Sequence, residues 1–328
     1  MSTVLECRHL SQAFGGGRKL LGSDKPLIQA VSDVNLQIQR GQTLGIVGES
    51  GCGKSTLARM LVGLDNPSSG QIQFQGKDLV AVKHDNPRWL HQKIQFVFQD
   101  PLSSLNPRKT IRQILEVPLR NLLNKTPGEM QARLYELMQA VNLRPEFLDR
   151  YPHEFSGGQS QRIGIARALA AEAEIIILDE PVSALDVSVQ AQILNLLREL
   201  KQQFNLTYVF ISHDLAVVEN LCDTVLVMYL GRVVESAPRE ELFSNPKHPY
   251  TKVLLSSVPI AGKRKPERIQ LRGELPNPAD PPPGCAFAPR CYRAEEKCHV
   301  SRPSLKPFAN TASQVACYFS EDSELPNS

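Results

Sequence analysis

The stretch that decides the fold is a glycine-rich loop that reads Gly48-Glu49-Ser50-Gly51-Cys52-Gly53-Lys54-Ser55. It follows a short apolar run, Thr43 to Val47, that is typical of a buried strand. It precedes Ser55 to Leu64, where apolar residues recur at helical spacing. A G-x-x-x-x-G-K-[ST] loop between a strand and a helix is the context in which this pattern binds phosphate groups. The alternative is a glycine-rich turn that matches by chance, and the flanking strand and helix argue against it.

The residue types of this loop suit a nucleotide. Glycines let backbone N–H groups turn inward around phosphate oxygens, and the start of the following helix adds a favourable dipole. Lys54 is expected to reach the β- and γ-phosphates, and the Ser55 hydroxyl to ligate Mg²⁺. The ligands predicted are therefore ATP and Mg²⁺. The loop residues predicted to bind them are Gly48, Gly51, Cys52, Gly53, Lys54, Ser55 and Thr56.

A second element supports the first. The apolar run Ile175 to Leu178 ends in two acids, Asp179 and Glu180. At the end of a buried strand, Asp179 is suited to hold Mg²⁺ through water, and Glu180 to polarise an attacking water as general base. Two acids after a strand would on their own more often be a solvated loop. Beside a phosphate-binding loop, the catalytic interpretation is favoured.

Composition excludes several classes of protein. Among 328 residues, 41% are hydrophobic and 22% charged, as in ordinary globular chains, and the net charge of +3 gives no sign of a nucleic-acid-binding face. No apolar run approaches the roughly 20 residues of a membrane-spanning helix. The N-terminus lacks the pattern of a signal peptide. We therefore expect a cytoplasmic protein whose membrane role, if any, comes through a partner.

The order of segments predicts an α/β fold. Residues ~107 to 172 are helix-rich, and after them apolar runs and helical patterns alternate, which implies a parallel sheet with crossover helices. Composition changes near Ala261, where a charged break is followed by the proline-rich Pro276 to Gly284. The predicted domains are residues 1–261, with a helical subdomain at about 107–172, and a C-terminal extension, residues 262–328.

The segment Phe155-Ser156-Gly157-Gly158-Gln159 resembles the signature of ABC ATPases, whose usual first residue is leucine. It lies between the phosphate-binding loop and Asp179, as in that family. The resemblance implies a P-loop NTPase (RecA-like) core with a helical ABC signature subdomain, to which the small cysteine-containing extension is added. It also implies that a facing subunit completes the ATP site. The signature residues expected to contact nucleotide are Ser156, Gly157, Gly158 and Gln159.

Further family elements follow in order. The resemblance implies that Gln99 contacts Mg²⁺ and water, that Asp186 lies at the dimer seam, and that His213 touches the γ-phosphate. With Glu180, the implied catalytic residues are thus Gln99 and His213. Adenine is expected to stack on an aromatic residue after the first strand. Phe14 is the candidate, and a purely structural role for it is the alternative.

Other segments resemble the dipeptide and oligopeptide importer ATPases, most of all the F-type subunits of dipeptide transport. They are Ser103 to Arg108, Arg150 to Phe155, Asn245 to Thr251, Gly273 to Pro276 and Pro282 to Cys285. The resemblance implies a second homologous ATPase as heterodimer partner, two transmembrane permease subunits and, indirectly, an extracytoplasmic substrate-binding protein. It implies no nucleic acid and a peripheral location on the cytoplasmic face of the bacterial inner membrane.

Four cysteines lie close together in the C-terminal extension: Cys285, Cys291, Cys298 and Cys317. In a cytosolic chain such a group favours metal over disulfides. The spacing matches neither common zinc sites nor ferredoxin runs. The family resemblance implies a [4Fe–4S] cluster. Zinc and reduced, unliganded thiols stay open as alternatives.

Two other classes of protein compete with a transport ATPase. One is a non-transport ABC ATPase of translation or DNA repair, which would usually carry two nucleotide domains or a nucleic-acid-binding insert. The other is a phosphate-binding regulator without turnover, which Glu180 and His213 argue against. The expected cargo is a dipeptide. Longer peptides, glutathione-like compounds, nickel chelates and haem remain alternatives.

Overall fold

A computed structural model describes residues 2–16, 26–257, 269–270, 273–308 and 311–320. The strands are β1 (Thr3–Gly15), β2 (Leu27–Gln39), β3 (Thr43–Val47), β4 (Ser69–Phe74), β5 (Lys77–Asp78), β6 (Ile94–Val97), β7 (Ile175–Asp179), β8 (Thr207–Ile211), β9 (Thr224–Tyr229), β10 (Arg232–Pro238), β11 (Lys306–Pro307) and β12 (Gln314–Val315). The helices are α1 (Lys54–Leu61), α2 (Leu79–Asp85), α3 (Pro87–Lys93), α4 (Ile111–Asn121), α5 (Pro127–Ala140), α6 (Gly157–Ala170), α7 (Val187–Phe204), α8 (Leu215–Leu221), α9 (Arg239–Ser244), α10 (Pro249–Ser256) and α11 (Glu296–Val300).

The larger sheet confirms the predicted α/β class. Its strand order is β11-β12-β10-β9-β3-β8-β7-β6, and the strands from β9 to β6 run parallel. Strand β7 shows why the apolar runs of the sequence are strands. All its residues are buried, with Ile175 and Ile177 in one core and Ile176 and Leu178 in the other. Successive side chains of a strand point to opposite faces of the sheet, and both faces are covered here. The side chains on each face are therefore apolar.

The two cores lie on opposite faces of this sheet. On one face, a four-stranded antiparallel sheet of order β2-β1-β4-β5 packs with α1 against residues such as Ile46 and Val209. On the other face, α6, α7 and α8 cover Tyr208 and Phe210. Helix α1, which starts from the phosphate-binding loop, is therefore anchored through fully buried residues such as Leu57.

Helices α4, α5 and α6 lie between β6 and β7 in the chain, and their starts are set by local sequence. Each begins with a capping box, in which the side chain of the N-cap residue and that of the third helical residue bond to each other's backbone. The pairs are Thr110 with Gln113, Thr126 with Glu129, and Ser156 with Gln159. The signature thus marks the start of α6.

Two short helices, α2 and α3, are not among the elements predicted from the sequence. Both are fixed by local hydrogen bonds: Asp78 accepts from the N–H of Ala81, and Asn86 accepts from the N–H of Trp89. Pro87 then occupies the first position of α3, where its missing N–H costs nothing. At this length, caps rather than periodicity define the helix.

The C-terminal extension joins the main fold. Strand β12 pairs with β10 and with β11, so the large sheet continues into it. Phe287, fully buried, belongs to the same hydrophobic core as β7 and α6. The predicted boundary between residues 261 and 262 lies outside the described residues. Among the described residues, no helix is both long enough and apolar enough to cross a membrane.

The packing between the sheets predicts a large cost for removing a side chain there. Ile177 is 0% exposed, so Ile177→Ala should lower the free energy of unfolding by about 2–5 kcal/mol through lost burial and a cavity. Val300→Ala is the matched control: this side chain is 73% exposed, and the change should stay within about 0.5 kcal/mol. Urea unfolding followed by circular dichroism measures both. Equal effects of the two changes would contradict this packing.

Candidate nucleotide-binding site

The phosphate-binding loop can only be built with glycine at two of its positions. Gly48 and Gly53 have φ angles of 153° and 102°, which side-chain-bearing residues rarely adopt. A β-carbon at Gly48 would lie 2.2 Å from the carbonyl oxygen of Met228, and one at Gly53 would lie 2.0 Å from that of Ala30. The loop is therefore pressed against two neighbouring strands. These contacts fix where its N–H groups point.

Lys54 begins α1, and its side chain is held inside the curl of the loop. The residue is 5% exposed. Its Nζ donates hydrogen bonds to the carbonyl oxygens of Gly48 (2.8 Å) and Glu49 (3.0 Å). A buried ammonium enclosed by a glycine loop at a helix start is suited to phosphate oxygens.

Ser55 and Asp179 come together from distant parts of the chain, with Ser55 Oγ donating to Asp179 Oδ1 at 3.2 Å. Burial raises the pKa of Asp179 above its usual value. The hydrogen bond from Ser55 lowers this pKa, and the negative charge of Glu180 raises it further. A hydroxyl and a carboxylate are the oxygen donors that Mg²⁺ prefers. A bound cation would favour the ionised carboxylate, so these residues fit the predicted magnesium site.

Glu180 is the centre of a polar cluster. Its Oε2 accepts a hydrogen bond from Gln99 Nε2 at 3.2 Å and lies 3.2 Å from Nδ1 of His213. Its own backbone is in the left-handed region, with φ of 47°, and its N–H donates to the carbonyl of Ile211 at 3.0 Å. The three residues predicted to be catalytic thus meet at the carboxyl ends of β6, β7 and β8.

The signature and the segment around Asp186 adjoin each other on the surface. Ser156, Gly157 and Asp186 are exposed. A β-carbon on Gly158 would lie 2.5 Å from Val189 Cγ1, so α6 starts close to α7. Among the described residues, no hydrogen bond or ion pair joins Ser156 or Asp186 to the phosphate-binding loop. The signature is presented outward.

The remaining predicted site residues differ in their surroundings. Phe14 lies near the end of β1, opposite Ile28, and is 45% exposed. Cys52 is 1% exposed, and burial raises the pKa of its thiol. The Cys52 side chain therefore packs on the inner side of the loop, away from solvent. Thr56 is half-buried in the first turn of α1. The surface position of Phe14 is open to either role considered for it.

Sequence reasoning missed a set of residues behind the loop. The N–H of Glu49 donates to the hydroxyl of Tyr250 at 2.9 Å, and Arg290 Nη1 donates to Glu49 Oε2 at 2.8 Å. Tyr250 lies in the segment Asn245 to Thr251, which the sequence offered only as a family resemblance. The resemblance of that segment to the peptide-importer family could have pointed to Tyr250. No feature of the sequence pointed to Arg290.

The four cysteines of the C-terminal extension line one small cavity of about 20 Å³, and none of the four is joined in a disulfide. The sulfurs of Cys291 and Cys317 each accept a backbone N–H at 3.4 Å. Burial raises the pKa of Cys291 to about 11, and also raises the pKa of Cys285 and of Cys317.

The four thiols and the backbone N–H groups that donate to two of them suit a metal cluster chemically, because hydrogen bonds to the sulfurs stabilise such clusters. Yet within the described ranges no set of three or more His, Cys, Asp or Glu side chains is arranged to hold a metal ion. The predicted [4Fe–4S] cluster is therefore not supported by this arrangement.

Comparison with known proteins fits this geometry. The sequence matches the family described as ABC transporter over residues 31–183, and the oligopeptide/dipeptide transporter C-terminal region over residues 234–298. The fold is also similar to a dimeric ATP-binding cassette, MJ0796, solved in a post-hydrolysis state with ADP and phosphate. The TM-score is 0.64 and the identity 29%, covering 72% of this chain and 98% of that one. Fold and site together define an ABC ATPase.

The relatives narrow the class. The chain is 50% identical over 320 residues to the oligopeptide transport ATP-binding protein AppF of Bacillus subtilis, covering 96% of this chain and 97% of that one. It is 49% identical to the dipeptide transport ATP-binding protein DppF of Escherichia coli, covering 94% and 92%. The chain belongs to the family of dipeptide and oligopeptide transport ATP-binding proteins.

The geometry around Glu180 predicts that two variants fail in different ways. Glu180→Gln removes the proton acceptor but leaves the loop intact, so ATP binding should persist while hydrolysis falls by about 10²-fold or more. Lys54→Ala should instead weaken nucleotide binding itself. Fluorescent-nucleotide titration and phosphate release separate the two effects. Normal hydrolysis by the Glu180→Gln variant would show that Glu180 is not the base.

Proposed function

We propose that this chain is the ATP-hydrolysing subunit of an ABC importer that takes up dipeptides or other short peptides. The observation that carries the proposal is the convergence of Gln99, Glu180 and His213 beside the Ser55–Asp179 pair. A regulator that only binds phosphate would not need a carboxylate held between two polar side chains. The membership in the peptide-transport family supplies the class of cargo.

ATP binds through the phosphate-binding loop. The loop N–H groups and Lys54 receive the phosphate oxygens, and Phe14 is the proposed surface on which adenine stacks. Ser55 and Asp179 would hold Mg²⁺, with Gln99 contributing a further oxygen. The cation, when bound, neutralises charge on the phosphate oxygens. Gly51, which has no side chain, and Cys52 both act through their backbone N–H groups. The thiol of Cys52 is buried and faces away from solvent.

Hydrolysis needs a water held in line with the γ-phosphate. Glu180 orients this water and accepts its proton. Gln99 and His213 keep the carboxylate in place, since both lie 3.2 Å from Oε2. His213 is further proposed to contact the γ-phosphate. A preorganised set of this kind lowers the barrier without having to rearrange during the reaction.

The site is proposed to be completed by a facing subunit. The exposed signature of one subunit would cover ATP bound at Lys54 of the other, with Ser156, Gly157, Gly158 and Gln159 supplying N–H groups and a helix start. Beside Asp186, Val187 is 82% exposed, as expected of a residue that becomes buried in a partner. The partner is proposed to be a related ATPase, which gives a heterodimer.

Coupling to the membrane is proposed to run through the surface beside Gln99. Phe98 and Leu102 are 37% and 43% exposed, an apolar surface suited to a protein partner. Two transmembrane permease subunits would bind there, on the cytoplasmic face of the inner membrane. An extracytoplasmic binding protein would choose the cargo, so longer peptides, glutathione-like compounds, nickel chelates or haem remain alternatives to dipeptides.

The assembly tests this function. Affinity purification of the full chain from detergent-solubilised membranes should recover a second ATPase and two multi-span membrane proteins. The purified complex in liposomes should take up a labelled dipeptide only when ATP is present. The Leu102→Glu variant should lose the membrane subunits while keeping ATP binding; Val300→Glu is the exposed control. Recovery of ribosomal or DNA-repair proteins instead would point to a non-transport ABC ATPase.

We also propose that the four cysteines hold a metal centre, a [4Fe–4S] cluster first. The proposal rests on the chemistry of the donors, because four thiols line one cavity and two of the sulfurs accept backbone N–H groups. Binding would have to draw the thiols into a ligand set that the described residues do not form. Protein purified without oxygen should then be brown and contain about four irons and four sulfides per chain. A colourless preparation with one zinc favours the zinc alternative. A metal-free one with four reactive thiols and full ATPase activity rules out both centres.

A further inference from the structure

The C-terminal extension reaches the phosphate-binding loop through one side chain. Arg290, 7% exposed, donates from Nη1 to Oε2 of Glu49 at 2.8 Å. Glu49 is the second residue of the loop, and the two partners are 241 positions apart in the chain. A contact between a charged residue of the extension and the loop that receives ATP therefore exists in the fold. None of the proposed steps of ATP binding and hydrolysis involves the contact between Arg290 and Glu49.

Besides the hydrogen bond that its carbonyl oxygen accepts from the N–H of Cys52 at 3.3 Å, Glu49 has contacts with three side chains. Arg290 binds its carboxylate, the Tyr250 hydroxyl accepts from its N–H at 2.9 Å, and Lys54 donates to its carbonyl oxygen at 3.0 Å. The first two contacts come from outside the loop. The third involves the lysine that is proposed to receive phosphate. When Lys54 turns to a phosphate oxygen, Glu49 loses that contact, and the Arg290 and Tyr250 contacts are the ones that still hold it from outside the loop.

The cost of burying Arg290 shows that this contact matters. Its guanidinium also lies 3.3 Å from the Tyr229 hydroxyl, and its Nε is buried without a hydrogen-bond partner among the described residues. Burial works against the charged form, but the bonds to Glu49 and Tyr229 prevail, and the pKa of Arg290 is raised. A buried cation is tolerated only when such a partner compensates it. Glu49 is that partner.

The fold of the extension decides where Arg290 lies. Residues Ala288–Arg290 form a tight turn, in which the N–H of Ala288 donates to the carbonyl of Cys285 at 2.9 Å. Next to the turn, Phe287 packs against Tyr229 and Tyr250, with ring centres 5.3 Å apart in each case. Arg290 is thus positioned by a packed aromatic cluster, which includes Tyr250, the tyrosine that binds Glu49.

We propose that Arg290 is a positioning residue of the ATP site, and that the C-terminal extension is thereby a working part of that site. The ion pair with Glu49 keeps the loop in its phosphate-receiving shape while Lys54 changes partner. This inference rests on the proposed function, since it concerns the same ATP site. It assigns to the extension a direct role in nucleotide affinity.

Loss of the ion pair should act on binding more than on chemistry. In Arg290→Gln, KM for ATP and the Kd of a fluorescent ATP analogue should rise about tenfold, the scale of one charge-assisted hydrogen bond. The kcat should change by less than about twofold, because Glu180, Gln99 and His213 are untouched. Glu49→Gln should give the same pattern from the loop side, and it tests the pair independently should Arg290→Gln not fold.

Three comparisons separate positioning from simple destabilisation. Arg290→Lys, which keeps the charge, should recover most of the affinity. The double variant should be no worse than either single one, because both remove the same contact. Arg302→Gln is the matched control: this arginine of the extension donates to the carbonyl of Gly284 at 3.3 Å and should leave KM unchanged.

The outcomes are distinct. Unchanged ATP affinity in folded Arg290→Gln and Glu49→Gln variants, or additive effects of the two, would overturn the inference while wild-type hydrolysis still supports the proposed function. A wild-type chain that fails to hydrolyse ATP within its purified complex would overturn the proposed function itself.

Discussion

The site depends on one constraint, the parallel arrangement of β3, β6, β7 and β8. Parallel neighbours end at the same edge of a sheet, so whatever follows each strand is brought together there. The phosphate-binding loop follows β3, Asp179 and Glu180 end β7, His213 follows β8, and Gln99 follows β6. Residues more than one hundred positions apart, such as Ser55 and Asp179, thereby come within hydrogen-bonding distance.

The same constraint explains which parts of the fold the sequence predicts. Strands covered on both faces are mostly apolar, so Thr43–Val47 and Ile175–Leu178 stand out as short runs that are followed by Gly48 and by Asp179. The loop and the acids follow directly from those runs. Helices α2 and α3 are different, because their few residues carry caps rather than a periodic apolar face. Periodicity is a weak signal at that length.

The support behind the loop could not be predicted from the sequence. Arg290 and Glu49 meet only because the C-terminal extension folds back onto β10 and packs Phe287 beside Tyr229 and Tyr250. No spacing rule links positions so far apart, and a lone arginine in a proline-rich segment reads as solvated. The cysteines lie between these cases. Their clustering predicts a common cavity, while their irregular spacing leaves its ligand open.

In the proposed assembly the chain forms half of a site, because the loop, Asp179 and Glu180 lie at the sheet edge while Ser156 and Asp186 are exposed. A structure of the assembled transporter with magnesium and a non-hydrolysable ATP analogue tests this most directly. In the proposed assembly the γ-phosphate held by Lys54 contacts the signature of the facing ATPase, while Ser156 of this chain covers the nucleotide of that partner. A nucleotide contacted by Lys54 and Ser156 of the same chain would contradict it.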